Sequence, residues 1–267
     1  MVAYGNYKNY QGSKLRHIGS SPAAAHQVDP RLALVDHLVP DIFRGKDAID
    51  IGCNNGAIVV QLALSFHSAS ARGIDVDQSL IDQAQSHLSF CYSRLKPDSN
   101  SNRDAIQYFP VSSVLDHGHR PCSPVDHAQD EGDGRQALPA TFPHNVHFIC
   151  EDWVNSRSPL QAAAFDIILA FSVIKWIHLQ NLDAGLGIFF RKCASSLRTG
   201  GYLVLEIQPW SSYERAVRPK KFPQLASSLA QLKTRPEHFP AILKKQNFVE
   251  IARSDDLPRT IHIYQKT

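Results

Sequence analysis

This chain of 267 residues has no long apolar run. None of its hydrophobic stretches approaches the roughly eighteen residues that a membrane-spanning helix needs. Cysteine is sparse: Cys53, Cys91, Cys122, Cys150 and Cys193 are odd in number and widely spaced, and no C-x-x-C occurs. That argues against a disulfide framework or a zinc site and predicts reduced thiols in the nucleus or cytoplasm. The opening stretch, MVAYGNYKNYQGSK, is polar and aromatic, so no secretory leader is expected there. No internal repeat is visible, and no Asp/His or Cys/His pairing stands out as a nucleophile with its base. His117 and His119 read as a solvated pair on a loop, and no metal is expected.

What the chain does contain is unevenly placed. Its net charge is only +3, but residues 1–46 carry six Lys/Arg against three acids and residues 208–267 carry eleven against five. The stretch between them carries eleven against seventeen. Basic ends that converge in space would attract a polyanion. Residues 1–30 read as a polar arm with Tyr4, Tyr7 and Tyr10 at every third place.

From residue 29 onward, helical and strand patterns alternate. A short amphipathic helix at 29–43 precedes the strand KDAIDIG, the buried helix IVVQLALSF, the strand ARGIDVD and the helix QSLIDQAQSHLSFCYSRL. Residues 96–142, rich in Ser, Asp, Asn, Pro, Gly and His, read as a mostly irregular insertion. The strands NVHFICEDW and FDIILAFS follow, then the helix LDAGLGIFFRKCASSL, stopped by RTGG, and the strand YLVLEIQPW. Helical stretches near 222–232 and 236–246 lead to strands at 247–253 and 260–266. Alternation of this kind predicts a mostly parallel sheet in one α/β domain spanning 1–267, with the last two strands as an antiparallel edge hairpin.

The sharpest local motif is DIGCNNG at 50–56, a strand running into a turn with Gly52 and Gly56 before a helix. Glycines allow close backbone approach to a ligand and supply the dihedrals of such a turn. The next strand ends at Asp75, placed to accept both hydroxyls of a ribose. The spacing is G-x-x-x-G rather than the dinucleotide G-x-G-x-x-G, and Asn54, a residue that tolerates left-handed backbone, stands inside it. The pattern fits S-adenosylmethionine, which has no pyrophosphate to cradle, better than NAD.

FSVIKWIHL at 171–179 sets one lysine, Lys175, among Phe, Val, Ile and Trp. A cation there must snorkel to water or meet an anion.

Together YGNYKNY, DPRL, FRGKDAIDIGCNNG, GIDVDQSLI, FPHNVHF, VIKWIHL and LVLEIQPWSSY resemble the methylphosphate capping enzymes, also called the bicoid-interacting family. The resemblance covers about 1–92 and 142–267. It implies a class I, Rossmann-like methyltransferase fold: a mostly parallel seven-stranded sheet with helices on both faces. It also implies S-adenosylmethionine as cofactor and the 5′-terminal (γ) phosphate of small non-coding RNA as acceptor. For the cofactor it implies Tyr4, a basic residue that here is Lys14 or Arg16, the turn residues Gly52, Cys53, Asn54 and Gly56, and then Asp75 and Val76. Asp152 and Trp153 stand where relatives have Asn-Tyr, to bond the adenine amino group and stack on its ring, and Phe171 closes the pocket.

Methyl transfer from a sulfonium is an in-line displacement, and a terminal phosphate is already anionic, so the site needs cations and donors rather than a general base. Lys175, His178 and Tyr213 are the candidates for the reacting end. Trp176, Gln208, Trp210, Ser211 and Ser212 would hold the first nucleotide. Arg215, Arg218, Lys220 and Lys221, with Lys233 and Arg235, would grip the RNA backbone, and Tyr7 and Lys8 would lie on a lid over the site. A nuclear, also cytoplasmic, monomer bound to RNA and to a ribonucleoprotein partner, with no membrane contact, is expected. Three alternatives stay open: a 5′-monophosphate acceptor, a structural subunit of a small ribonucleoprotein, and a small-molecule methyltransferase.

Overall fold

A computed structural model describes residues 28–96, 108–120, 141–156 and 162–267. Helix α1 (Pro30–Leu38) starts where the sequence signals a start: the Asp29 carboxylate accepts the Arg31 N–H, and Pro30 fills the first turn, where a missing N–H costs nothing. Then come β1 (Asp47–Ile51), α2 (Ala57–Leu64), β2 (Ser70–Asp75) and α3 (Gln78–Ser93). Helix α3 is capped by Asp77, whose carboxylate accepts the Ser79 N–H. Helix α4 (Val111–His117) precedes β3 (Val146–Cys150) and β4 (Phe165–Phe171). The remainder is α5 (Ile174–Ser196), β5 (Leu197–Ile207), α6 (Trp210–Ala216), α7 (Ala226–Gln231), α8 (Phe239–Lys244), β6 (Phe248–Ser254) and β7 (Thr260–Lys266).

The strands form one seven-stranded sheet in the order β3-β2-β1-β4-β5-β7-β6. The first five are parallel; β7 runs antiparallel to β5, and β6 to β7. The expected α/β class and the antiparallel edge hairpin are both observed. Period-two alternation splits β4 between two cores. Ile167, Leu169 and Phe171 face a layer with Leu32, Val59, Leu62 and Leu88 from α1, α2 and α3. Ile168 and Ala170 face a layer with Phe189 and Phe190 of α5 and Phe239 of α8. Strand order reverses direction between β1 and β4, and in open α/β sheets ligands bind beyond the carboxyl ends of strands at such a switch point.

Three elements depart from the sequence reading. Helix α5 ends at Ser196 and Leu197 is already extended (φ −80°, ψ 142°), so RTGG opens β5 instead of stopping the helix. Gly200 keeps the expected positive φ of 80°, now inside the strand. Helix α5 also starts early, taking in the whole KWIHL stretch and kinking at Leu182. Within the expected irregular insertion, α4 forms, and Arg120 just beyond it anchors the segment: its guanidinium lies over the Tyr92 ring of α3 and donates to the Leu95 carbonyl.

A buried charge network ties the first helix to the last hairpin. The Arg31 guanidinium pairs with Asp29 at 2.7 Å and with Glu206 at the end of β5 at 3.1 Å, and Glu206 also meets Arg259, from the turn between β6 and β7, at 3.4 Å. Ser172 hydrogen-bonds to both Glu206 and Arg259. Two acids and two bases balance there, as buried charges require.

Candidate functional site

A cavity of about 360 Å³ opens at the carboxyl ends of the strands, of a size suited to a small-molecule ligand. Strand order gives it two unlike ends. On the β2–β3 side it is lined by Asp75, Val76, Glu151 and Asp152, and on the β4–β5–β7 side by Lys175, Arg215, Lys221 and Arg259. Phe171, Val173, Trp176 and Phe222 are apolar lining residues.

The turn at the acidic end is built on the Ile74 carbonyl, which accepts the N–H groups of Gly52 (2.8 Å) and Cys53 (3.1 Å). Gly52, Asn54 and Gly56 all have positive φ, 75°, 52° and 74°. A Cβ on Gly52 would fall 2.6 Å from a Val173 methyl, so the turn is packed directly against the residue that leads into Lys175. Gly52→Ala is therefore expected to destabilise the protein by about 2 kcal/mol through left-handed strain and the clash. Thermal unfolding checks this; an unchanged Tm would remove the packing argument.

Asp75 is oriented by two backbone donors, the Asn54 N–H at 3.0 Å and the Asp77 N–H at 3.1 Å. Burial raises its carboxyl above the usual carboxylate range, against these hydrogen bonds. Each carboxylate oxygen has a second acceptor position for a ligand hydroxyl. The side-chain oxygen of Gln208, a buried cavity-lining residue, has no hydrogen-bond partner. An orphaned acceptor, a glycine turn that a Cβ would obstruct and an oriented acid together suit a ligand with a ribose and further donors, which S-adenosylmethionine has. Asp152 spends its carboxylate on the turn that follows, accepting the Val154 and Asn155 N–H groups at 2.8 and 3.0 Å. Trp153 lines the cavity but is 3% exposed, its ring packed in the core under β1 and β4 rather than standing free as a platform.

At the basic end Lys175 neither snorkels nor finds a carboxylate. It is 8% exposed; its Nζ donates to the Ser212 hydroxyl at 3.0 Å and lies 4.5 Å from the Trp176 ring centre. Among the described residues it has no ion-pair partner. Burial, and then the charges of Arg259, Lys221 and Arg215, lower its pKa to about 8.

The other sequence candidates divide. Ser212, Trp176, Gln208, Arg215 and Lys221 line the cavity. Trp210, Ser211, Arg218 and Lys220 lie outside its lining, in α6 and the segment after it. Cys53 and Gly56 shape the turn without lining the cavity. His178 and Tyr213, the other candidates for the reacting end, are 0% and 1% exposed and are not among the cavity-lining residues. The His178 Nε2–H donates to Asp183 at 2.8 Å, and its Nδ1 faces the Tyr213 hydroxyl at 3.4 Å. Burial lowers the His178 pKa more than Asp183 raises it, so this is a neutral imidazole on a carboxylate, not an ion pair. Burial pushes the Tyr213 phenol up, which keeps its proton on. Tyr4, Tyr7, Lys8, Lys14 and Arg16 lie outside the described residues, as do 97–107 and 121–140. Arg259 was missed: it stands alone in a hairpin turn, in DLPRT, and no local pattern marks it as a cavity residue.

Comparison with known proteins agrees with the fold and the motifs. Residues 165–266 match the family model described as bicoid-interacting protein 3 (Bin3). The chain is 32% identical over 258 residues to the 7SK snRNA methylphosphate capping enzyme of Mus musculus, covering 90% of this chain and 36% of that protein. It thus spans about a third of the mouse relative's length. It is also 32% identical over 240 residues to a probable RNA methyltransferase of Arabidopsis thaliana, covering 90% of this chain and 70% of that one. Among solved structures, a SAM-dependent methyltransferase from Methanosarcina mazei superposes with a TM-score of 0.52 at 15% identity, over 87% of this chain and 96% of the other. The sheet order is thus that of a SAM-dependent methyltransferase fold, and at 32% identity over most of the plant relative, with residues 165–266 matched by the family model, the chain belongs to the bicoid-interacting protein 3 (Bin3) family.

Proposed function

We propose that this chain is an S-adenosylmethionine-dependent RNA methyltransferase whose acceptor is the 5′-terminal γ-phosphate of a small non-coding RNA, acting in the nucleus as a monomer within a ribonucleoprotein. The observation that carries this reading is Lys175, a buried ammonium without a carboxylate partner among the described residues, facing the same cavity as Asp75. Buried charges are held where something pairs with them, and a phosphate supplies the missing anion.

Asp75 and the 52–56 turn would hold the cofactor, which supplies an electrophilic methyl on a sulfonium when bound. The chain's own residues do the rest. Lys175, with the Ser212 hydroxyl beside it, holds a phosphate oxygen; Arg215 and Lys221 offset the remaining charge; Val173, Trp176 and Phe222 exclude water. No proton has to leave the acceptor, and among the described lining residues there is no histidine to take one. Several lining cations suit a triphosphate end better than a single phosphate.

The test is to incubate the protein with labelled S-adenosylmethionine and matched RNAs ending in 5′-triphosphate, 5′-monophosphate or 5′-hydroxyl. Label on the triphosphate RNA, and little on the other two, is expected; equal labelling of the hydroxyl-ended RNA would sink the reading. A second reading, a structural subunit of a small ribonucleoprotein, draws on the exposed Arg218 and Lys220 outside the cavity. On that reading an Asp75 variant assembles the particle normally in cells and loses no function there.

A further inference from the structure

A segment of chain, residues 217–238, straps across the basic end of the cavity between α6 and α8. Lys221 and Phe222 near its start line the cavity, and Phe222 packs edge-on against Trp176 at 5.1 Å between ring centres. Near its far end Leu232 is buried with Leu179 and Tyr213, and one side chain, Asp183, takes the backbone N–H groups that follow. Asp183 accepts the Lys233 N–H at 2.9 Å and the Thr234 N–H at 3.2 and 3.3 Å, while also accepting the His178 ring N–H.

The next residue, Arg235, lies with its guanidinium 3.5 Å from the centre of the Trp210 ring, and Trp210 stacks on Tyr213 at 5.0 Å and 18°. Tyr213 is covalent neighbour to Ser212, the partner of Lys175. The contacts thus close a ring: from Lys175 through Ser212, Tyr213, Trp210 and Arg235 to the strap, then through Asp183 and His178 back to the helix that carries Lys175.

Asp183 reaches this position because the helix breaks just before it. Leu182 sits at φ 57° and ψ −170°, a conformation that glycine adopts and other residues avoid. Such backbone persists only where its surroundings over-determine it, and it gathers at functional sites. The His178 bond and the two backbone donors hold the Asp183 carboxyl below the usual carboxylate range in spite of burial, so it stays an acceptor for all three donors.

The geometry points to Asp183 as a positioning residue that fixes the strap walling the RNA end of the cavity, and with it the Arg235–Trp210 stack beside that end. The assignment rests on the RNA-methyltransferase reading for its kinetic consequence, but the clamp itself is testable without it. None of the Asp183 contacts touches the cofactor turn, so loosening the strap should act on one substrate only.

In Asp183→Asn one carboxylate oxygen becomes an amide N–H₂, which cannot accept; at least one of the three donors loses its partner. Two measurements are made on the whole protein. Hydrogen exchange at the Lys233 and Thr234 amides is expected to quicken by about tenfold or more, as local opening requires. In steady-state assays KM for a triphosphate-ended RNA is expected to rise about tenfold, with kcat and KM for S-adenosylmethionine within about twofold, the signature of lost uniform binding. Unchanged exchange at those amides overturns the clamp. So does a variant in which both KM values rise together with a lowered Tm, since that marks a general structural role. If wild-type protein methylates no RNA, the functional reading fails and exchange alone decides the clamp.

Discussion

Lys175→Ala is expected to lower kcat/KM for a triphosphate-ended RNA by about 10²–10³-fold, the usual cost of removing a preorganised charge from a desolvated site. S-adenosylmethionine affinity should stay within about twofold, measured by calorimetry. The size follows from burial: an ammonium–phosphate contact shielded from water is a charge-assisted hydrogen bond, stronger than a neutral one by about a factor of two. A surface lysine at the same distance would contribute far less.

The lowered pKa adds a pH signature with a definite sign. With a pKa of about 8 in the free protein, Lys175 carries its charge below that pH and loses it above. RNA affinity should therefore fall as pH rises through about 8, while a bound phosphate, being an opposite charge, pulls the pKa up. Lys175→Arg, whose guanidinium does not deprotonate, should flatten this dependence even if its bulk reduces turnover. Stability runs the other way. The folded pKa lies below the 10.5 of an ordinary lysine, so between about 8 and 10.5 the unfolded chain binds more protons, and stability rises with pH there. Below that window the cost of the buried charge is fully present, and Lys175→Met should stabilise the protein by about 1–3 kcal/mol while destroying activity. A Met variant that melts lower than wild type would contradict the burial argument.

Asp75→Ala is expected to weaken S-adenosylmethionine binding by about 10²-fold or more while leaving RNA binding, followed by anisotropy, nearly unchanged. Each ribose hydroxyl donating to a charged acceptor contributes about 1.5–3 kcal/mol. The carboxylate is also held in place by the Asn54 and Asp77 amides, so its loss disturbs the turn it organises. Because burial raises its pKa, cofactor affinity should decline on acidification at a higher pH than for an ordinary aspartate. An Asp75→Ala protein that binds the cofactor normally would place the ribose elsewhere.

The sequence made the sheet and both poles of the cavity legible for different reasons. Strand β4 is a short apolar run, and β1 and β2 are short segments between helical patterns and turn signals, so pattern and punctuation sufficed. Gly52, Asn54, Gly56 and Asp75 act through backbone dihedrals and local spacing, which a linear pattern records. Lys175 was conspicuous because a lone cation in an apolar run has few ways to be satisfied. His178 shares a helix face with Lys175 by spacing, yet Tyr213 and Phe239 pack against it; only the tertiary packing of residues 210–239 decides that. Trp153 was placed near the cavity, but which way its ring turned depended on space left by β1, β4 and α5. Arg259 belongs to the cavity because β7 inserts between β5 and β6, a topological fact with no local trace. The early start of α5 went unread since Val, Ile and Trp at its beginning are strand-favouring residues, overridden by packing.

The order of the sheet also divides the chain into two lineages of change. The turn residues Gly52 and Asn54 and the acidic-end residues Asp75, Val76, Glu151 and Asp152 come from β1 to β3 and the turns after them, whereas Arg215, Lys221 and the strap form one contiguous stretch between β5 and β6. Acceptor preference can therefore drift, or be transplanted by exchanging residues 209–238 between relatives, without rebuilding the methyl-donor half. The Asp183 contact, together with the Lys175–Ser212 hydrogen bond and the Trp176–Phe222 ring contact, is the seam along which such a graft must be matched, because these join the transplanted stretch to the helix that presents Lys175.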